Sequence, residues 1–287
     1  MEKRGLGRTG HASTIMTLGG AALRPDTPNA AEAFVRDAFA RGVNHVDIAP
    51  TYGSGKAEIL LGQWLPEYRE DVFLACKTGQ RTREAAAAEL ARTLQRLHTD
   101  IIDLYQLHGL DTLEDLDLVL SDDGALSAIR AAQEQGVIRY IGITSHDPST
   151  IMKALSAFAF DTVLLPVNYV LHTHPQPHND YTPVLALAKQ RNLGVIAMKT
   201  VAKGPWPPGE RSYRCWYQPF DTRREVNEAV RFTLSQAVTT AATCSDLRIA
   251  KLMLDAAEQF SPMDAAEQAT LCQNAENETP LFPRQVK

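Results

Sequence analysis

Paired cysteines, basic clusters and long apolar runs are what this chain of 287 residues has least of, and each shortage removes a class of protein. Its four cysteines, Cys76, Cys215, Cys244 and Cys272, lie far apart without a CxxC spacing. That pattern argues against a disulfide scaffold and fits free thiols in a reducing compartment such as the cytoplasm. Lysine and arginine number 29 against 34 acidic residues, a net charge of -5 without a basic block, so nucleic acid is not an expected partner. The longest apolar stretches, such as Thr162 to Val167, fall far short of the roughly 20 residues that a bilayer span requires. The opening Met1-Glu2-Lys3-Arg4-Gly5 runs into polar, glycine-rich sequence instead of the apolar core of a signal peptide, so neither membrane insertion nor export is expected. No internal repeat, long polar linker or shift of composition marks a boundary, and residues 1–287 read as one domain with a C-terminal tail over 260–287.

What is present is alternation. Short β-branched runs recur at Thr14–Leu18, Val43–Ile48, Val72–Lys77, Ile101–His108, Ile138–Thr144, Thr162–Asn168, Gly194–Lys199 and Val238–Thr243. Between and after them lie amphipathic segments at Asn29–Arg41, Lys56–Glu67, Arg83–Leu97, Gly124–Gln135, Pro148–Ala157, Pro183–Arg191, Arg223–Gln236 and Leu247–Phe260. Eight strand–helix units predict an α/β fold of one (β/α)8 barrel. Asp147 and Asp221 stand where N-caps are expected, and Gly42, Gly136 and Gly194 stand where a left-handed helix end is cheap for glycine. A loop from Val201 to Phe220 interrupts the rhythm and carries Trp206, Tyr213, Trp216, Tyr217 and Phe220. It reads either as a wall over a pocket or as aromatics anchoring a loop to the barrel rim.

Gly5, Gly7 and Gly10 spell GxGxxG. A dinucleotide fingerprint needs a strand before it and a helix after it, so that helical N–H groups face the pyrophosphate. Only four residues precede Gly5 and His11–Leu18 reads as β, so these glycines are expected in the turn of an N-terminal β-hairpin.

In an α/β barrel the reactive groups come from the C-terminal ends of strands. Three consecutive strands end on a carboxylate (Asp47), an ammonium (Lys77) and an imidazole (His108). Neighbouring strands lie roughly 5 Å apart, so the three can converge at one corner of the barrel mouth, with Tyr52 reaching the same corner from the loop after Asp47. A phenol is a weak acid at neutral pH, and a nearby lysine cation favours its ionised form. The set therefore suggests a tyrosine general acid, with His108 positioned to orient a carbonyl oxygen.

The segments Val46-Asp47-Ile48-Ala49-Pro50-Thr51-Tyr52-Gly53, Ala75-Cys76-Lys77-Thr78 and Asp103-Leu104-Tyr105-Gln106-Leu107-His108 resemble, in order, three motifs of the aldo-keto reductases. Leu6-Gly7-Arg8-Thr9-Gly10 and Leu18-Gly19-Gly20 resemble that family's opening hairpin and first strand. The resemblance implies hydride transfer from NADPH to an aldehyde or ketone. Tyr52 would be proton donor, Lys77 and Asp47 would lower its pKa, and His108 would orient the carbonyl. The partner it implies is a small-molecule carbonyl substrate, with the protein a monomer or small homo-oligomer.

The cofactor side departs from the family pattern. Thr144 and Ser145 stand where the family has serine and asparagine, and Pro166 stands at a glutamine, with Asn168 two residues on. Met198 replaces the aromatic that stacks on nicotinamide, and the phosphate-binding segment is compressed to Thr243-Cys244-Ser245-Asp246-Leu247-Arg248. By the resemblance, the cofactor-binding candidates are Gly20, Thr144, Ser145, Asn168, Met198, Lys199, Ser245 and Arg248. Arg248 and the N–H groups at Leu247 favour a 2′-phosphate, and Asp246 opposes one.

Two readings from other classes compete. His172, His174 and His178 form HxHxxxH after the sixth strand, but barrel metal hydrolases carry an HxH pair on the first strand and an aspartate ending the eighth. Here the eighth ends Ala241-Ala242-Thr243, so no metal site is expected. The other reading is a nucleotide-binding sensor or regulatory barrel with little turnover, which the altered nicotinamide side would allow.

Overall fold

The computed structural model describes residues 1–24 and 26–282, and the last five residues of the predicted tail lie outside that range. A hairpin of β1 (Lys3–Gly5) and β2 (Ala12–Thr14) precedes β3 (Met16–Gly19), β4 (His45–Asp47), β5 (Phe73–Thr78), β6 (Ile102–Leu107), β7 (Ile138–Thr144), β8 (Thr162–Pro166) and β9 (Gly194–Met198). A short antiparallel pair, β10 (Ala202–Gly204) and β11 (Gln218–Pro219), brackets the aromatic loop before β12 (Thr240–Ala242). Strands β3 to β9 and β12 close in parallel into one eight-stranded barrel, with β12 joining β9 to β3. This is the predicted (β/α)8 architecture, hairpin included. No helix among the described residues is long and apolar enough to cross a membrane.

All eight predicted helices are present, as α1 (Pro28–Ala40), α2 (Lys56–Gly62), α3 (Arg83–Leu97), α5 (Ala125–Glu134), α6 (Pro148–Ala157), α8 (Thr182–Gln190), α9 (Arg223–Leu234) and α10 (Leu247–Glu258). Three more were not predicted: α4 (Leu113–Leu120), α7 (Tyr169–Thr173) and α11 (Ala265–Asn274), the last within the tail. Each begins at a side-chain cap, from Thr112, Asn168 and Asp264. Asp147 caps α6 as expected, but α9 is capped by Thr222, whose hydroxyl forms a reciprocal capping box with Glu225, and not by Asp221. Gly42 and Gly136 do adopt left-handed φ of 82° and 76°. At Gly194 the expectation fails: Asn192 takes the left-handed turn, and Gly194 is small because a Cβ there would meet Leu6 Cδ1 at 2.7 Å.

Strand alternation explains what fills the barrel. Phe73, Ala75, Leu104, Leu164 and Ile196 point inward and pack around Leu6, which the hairpin drives into the N-terminal end of the barrel. Burying that leucine is worth about 1.5–3 kcal/mol. Outward neighbours such as Val46, Leu74, Cys76, Tyr105 and Leu107 pack on the helices. Gly7 (φ 54°) turns the hairpin with its α-carbon against the backbone of Leu193 and Gly194. The GxGxxG glycines therefore sit in a hairpin turn at the end of the barrel opposite the strand C-termini, as expected.

Candidate functional site

The same alternation that makes the apolar floor delivers the polar groups above it. Asp47 lies two residues beyond His45, Lys77 two beyond Ala75, and Gln106 two beyond Leu104, so all three project into the barrel at its C-terminal end. Lys77 Nζ donates to Asp47 Oδ2, to the Ile48 carbonyl at 3.1 Å and to Tyr52 Oη at 3.4 Å. Its three protons are thereby all directed. Gln106 Nε2 donates to the other Asp47 oxygen at 2.9 Å, which fixes the carboxylate's rotation. Asp47 and Lys77 are buried, at 3% and 1% exposure.

Tyr52 reaches this pair because its loop reverses tightly. Gly53, Ser54 and Gly55 take left-handed φ of 60°, 56° and 86° in succession, which turns the chain back into α2. A Cβ at Gly55 would also displace the Arg96 guanidinium, whose Nη1 lies 2.3 Å from that position at the end of a flexible side chain. The Lys77 ammonium lies 5.1 Å from the Tyr52 ring centroid, and His108 meets that ring edge-on at 6.1 Å. His108 Nδ1 and Thr51 Oγ1 are 3.4 Å apart.

Electrostatics separate the roles. Burial works against the Lys77 cation, but Asp47 and then Tyr52 more than offset it, so its pKa lies above the ordinary lysine value. His108 is driven down to about 3 by burial first and then by Lys77, His146 and Arg81, which leaves the imidazole neutral at physiological pH. Tyr52 differs from expectation. Loss of solvent raises its pKa, and Lys77 offsets that only in part, so the phenol is held firmly protonated instead of being tuned towards neutrality.

A cavity of about 350 Å³ opens beside Tyr52, lined among others by Tyr52, Met198, Lys199, Trp216, Tyr217 and Ser245; His108 and Lys77 are not among its lining residues. Asp47, Gly19 and Cys244 also border it, as do Arg24, Arg211 and Arg214. Lys199 holds a left-handed φ of 60°, unusual for a side chain of its size, and its ammonium lies 5.0 Å and 5.4 Å from the ring centroids of Trp216 and Tyr217. Burial lowers it to about 8. The aromatic loop serves both readings: Trp216 and Tyr217 wall the cavity, while Phe220 stacks on Tyr169 at 5.0 Å and anchors the loop's end.

Of the eight cofactor candidates, Met198, Lys199 and Ser245 line the cavity. Gly20 lies just behind it, packed on Ile48, where a Cβ would approach within 2.9 Å. Thr144 spends its hydroxyl accepting from Gly109 N at 2.8 Å, and Ser145 donates to Asp111 at 2.9 Å. Asn168 is not among the residues lining the cavity: its side chain caps α7 and donates to the Lys199 carbonyl at 3.0 Å, beneath a residue that does line it. Arg248 lies in an adjoining cleft with Arg24, Arg211 and Arg214. There Asp246 takes both its backbone N–H, at 3.0 Å, and its guanidinium, at 2.9 Å.

Sequence reasoning missed Gln106 and the arginines at 24, 211 and 214. Gln106 was findable, because it lies two residues before His108 on the same strand face. Arg211 and Arg214 sit among the loop aromatics that drew notice, whereas Arg24 had no local signal. The histidine motif serves structure: His172 Nδ1 lies 3.1 Å from Tyr181 Oη, and His174 Nε2 bonds the Ala275 carbonyl of the tail at 3.0 Å. Among the described residues no group of three or more histidine, cysteine or acidic side chains could hold a metal.

Comparison with known proteins gives a consistent result. The model of the aldo/keto reductase family matches residues 15–262. The uncharacterized oxidoreductase YqkF of Bacillus subtilis is 29% identical over 216 residues, covering 71% of this chain and 66% of that protein. L-Galactose dehydrogenase of Arabidopsis thaliana is 28% identical over 219 residues, with the same coverage of 71% and 66%. The chain thus spans 66% of the length of each of these relatives. Among solved structures, the holo form of an aldo-keto reductase from Bacillus halodurans superposes with a TM-score of 0.76 at 24% identity, over 96% of both chains, a likeness of fold.

Proposed function

This chain belongs to the aldo/keto reductase family, and from that premise we propose that it is an NADPH-dependent reductase of an aldehyde or ketone, with Tyr52 as proton donor. One observation carries the reading: the hydrogen-bonded chain from Gln106 through Asp47 and Lys77 to Tyr52 ends in the lining of the cavity. The phenol oxygen accepts from Lys77, so its own proton is free to point into the cavity. As Tyr52 gives that proton to a carbonyl oxygen, negative charge develops on a phenolate with the ammonium already 3.4 Å away. Asp47 keeps Lys77 charged and in place, which is why a buried lysine serves here at all. His108, neutral and beside the Tyr52 ring, orients the carbonyl oxygen by hydrogen bonding without competing for the proton.

The chemistry of the lining fits a dinucleotide phosphate. Arg24, Arg211, Arg214 and Lys199 line the cavity together with Tyr52 and supply positive charge there. Gly19 also lines the cavity, and a Cβ there would strike the Thr243 carbonyl at 2.3 Å. Lys199 and the arginines would hold the phosphates, with Met198, Trp216 and Tyr217 against the flat rings. When bound, the nucleotide supplies the hydride.

The test is fluorescence titration with NADPH and NADH, followed by cofactor absorbance while aldehydes and ketones are added. Tighter NADPH binding with oxidation on some carbonyl supports the reading, and failure to bind either nucleotide overturns it. Because Thr144, Ser145 and Asn168 spend their side chains on the protein's own loops, a sensor with weak turnover is the second reading. Tight binding without oxidation on any carbonyl would favour it.

A further inference from the structure

Lys199 presents an amine without a polar partner. It follows β9 directly and lines the cavity, half-buried, and among the described residues its Nζ makes no salt bridge and no hydrogen bond. Its neighbours in sequence and space differ: Lys77 is saturated by Asp47, the Ile48 carbonyl and Tyr52, and Lys203 meets Glu278 at 3.6 Å. Asp47 is the carboxylate of the cavity lining, and Lys77 and Gln106 already take its two oxygens.

The amine is also held in place. The Lys199 carbonyl accepts from Asn168 Nδ2 and from Ala202 N, each at 3.0 Å, and these bonds pin the residue at its left-handed φ of 60°. A side chain of this size keeps such a conformation only where its surroundings enforce it. Trp216 and Tyr217 then flank the ammonium at 5.0 Å and 5.4 Å from their ring centroids. Ring faces favour the cation, but loss of water, helped by Lys77, acts against it and brings its pKa down to about 8. A neutral amine with a free lone pair is therefore present near physiological pH, and that is the nucleophilic form.

The cavity favours one sign of charge in what reaches this amine. Arg24, Arg211 and Arg214 line it, and among the described residues only Arg214 has a carboxylate partner, Asp26 at 2.7 Å. Arg24 and Arg211 leave their charge for an anionic guest.

We propose that Lys199 is a covalent modification site, an amine that condenses reversibly with small anionic aldehydes entering the cavity. The nitrogen attacks the aldehyde carbon, a C–N bond forms, and the carbonyl π electrons move to oxygen, which takes up a proton from the nitrogen. The C–O bond then breaks, the nitrogen's second proton leaves with the hydroxyl as water, and a C=N bond remains. Nothing is oxidised or reduced, and water reverses the step. The site rests on the cavity and not on the reductase reading.

The experiment uses the full chain without nucleotide, so that it can fail separately from that reading. Glyoxylate is added at about pH 7.5 with sodium cyanoborohydride, which reduces the imine to a stable carboxymethyl amine, and peptide mass spectrometry quantifies each lysine. Acetaldehyde, which is uncharged, is the parallel probe. Glyoxylate should label Lys199 about tenfold faster than the exposed Lys56, Lys153 and Lys251, because only Lys199 joins a flanked amine to an arginine-lined cavity. Its preference for glyoxylate over acetaldehyde, taken relative to Lys153, should fall about tenfold in Arg24→Gln/Arg211→Gln, while acetaldehyde labelling of Lys199 stays as in wild type. Glyoxylate labelling of Lys199 no faster than that of Lys153 would overturn the modification site. The same relative labelling by both aldehydes in wild type would overturn its preference for anions.

Discussion

Replacing Asp47 by alanine should strand a buried ammonium, and the structure says how badly. Lys77 is 1% exposed, and without Asp47 its remaining partners are the Ile48 carbonyl at 3.1 Å and Tyr52 Oη at 3.4 Å, neither of them charged. Breaking a buried pair from one side costs about 3–5 kcal/mol. For a chain of this length that corresponds to a fall in Tm of about 5–8 °C. The double variant Asp47→Leu/Lys77→Met removes both charges and fills the space with apolar atoms, so it should regain about 2 kcal/mol or more over Asp47→Ala. Gln106 Nε2 loses its acceptor in both variants, so comparing one with the other isolates the stranded charge. Urea melts followed by far-ultraviolet circular dichroism give the difference, provided the slopes match. Asp47→Ala within about 1 kcal/mol of wild type, or a double variant no more stable than the single one, would refute the account of a pair retained for chemistry at the expense of stability. Both variants should fail to reduce any carbonyl.

Further outcomes follow from the same geometry. Tyr52→Phe should lower kcat for reduction by about 10²–10⁴ while NADPH affinity changes little, because it removes the proton donor but no phosphate contact; equal loss of both, in steady-state kinetics and fluorescence titration, would count against that role. His108, held at about 3, should show no imidazole titration by NMR near its unfolded value of about 6.5. Its folded pKa is depressed, so its contribution to stability is present above about pH 6.5 and is lost as pH falls towards 3, and acid melts should show that direction. Lys199, lowered to about 8, is cationic below that pH and neutral above it, so NADPH binding should weaken as pH rises through 8, and Lys199→Met should flatten the profile. Gly7→Ala places a Cβ 2.2 Å from Gly194 N at a left-handed φ and should destabilise by more than the roughly 1–2 kcal/mol of the backbone conformation alone. Gly5→Ala meets no atom within 4 Å, so it should melt and bind nucleotide like wild type, an outcome a working GxGxxG fingerprint would not give.

The barrel was legible because each buried strand is a short β-branched run between helices whose apolar faces repeat, a pattern that few architectures satisfy eight times in succession. Lengths were less legible. The eighth strand reads as Val238–Thr243 but pairs only over Thr240–Ala242, because Val238 N bonds back to Gln236 at 2.7 Å in the turn that ends α9. The unpredicted helices escaped because their apolar periodicity is short, although Asp264 and Glu267 spell a capping box that would have revealed α11.

In the candidate site, legibility tracked covalent geometry. Asp47, Lys77 and Gln106 are held by the alternation of rigid strands, so their convergence follows from counting residues to each strand's end. Arg24, Arg211, Arg214 and Trp216 come from loops whose paths depend on contacts distant in sequence, such as Arg214 with Asp26 at 2.7 Å. The hydrogen bonds of the polar residues on the cofactor side were less legible for a different reason. Thr144, Ser145 and Asn168 occupy the expected positions, but a hydroxyl or amide bonds whichever partner is nearest, and here the nearest are Gly109, Asp111 and the peptide of Lys199. Position along a strand thus predicts where a side chain begins, and the competition for its hydrogen bonds determines what it faces. Lys77 escapes that competition because Asp47 outweighs every neutral acceptor nearby, so a charge pair at a strand end can be read from sequence with more assurance than a hydroxyl in the same place.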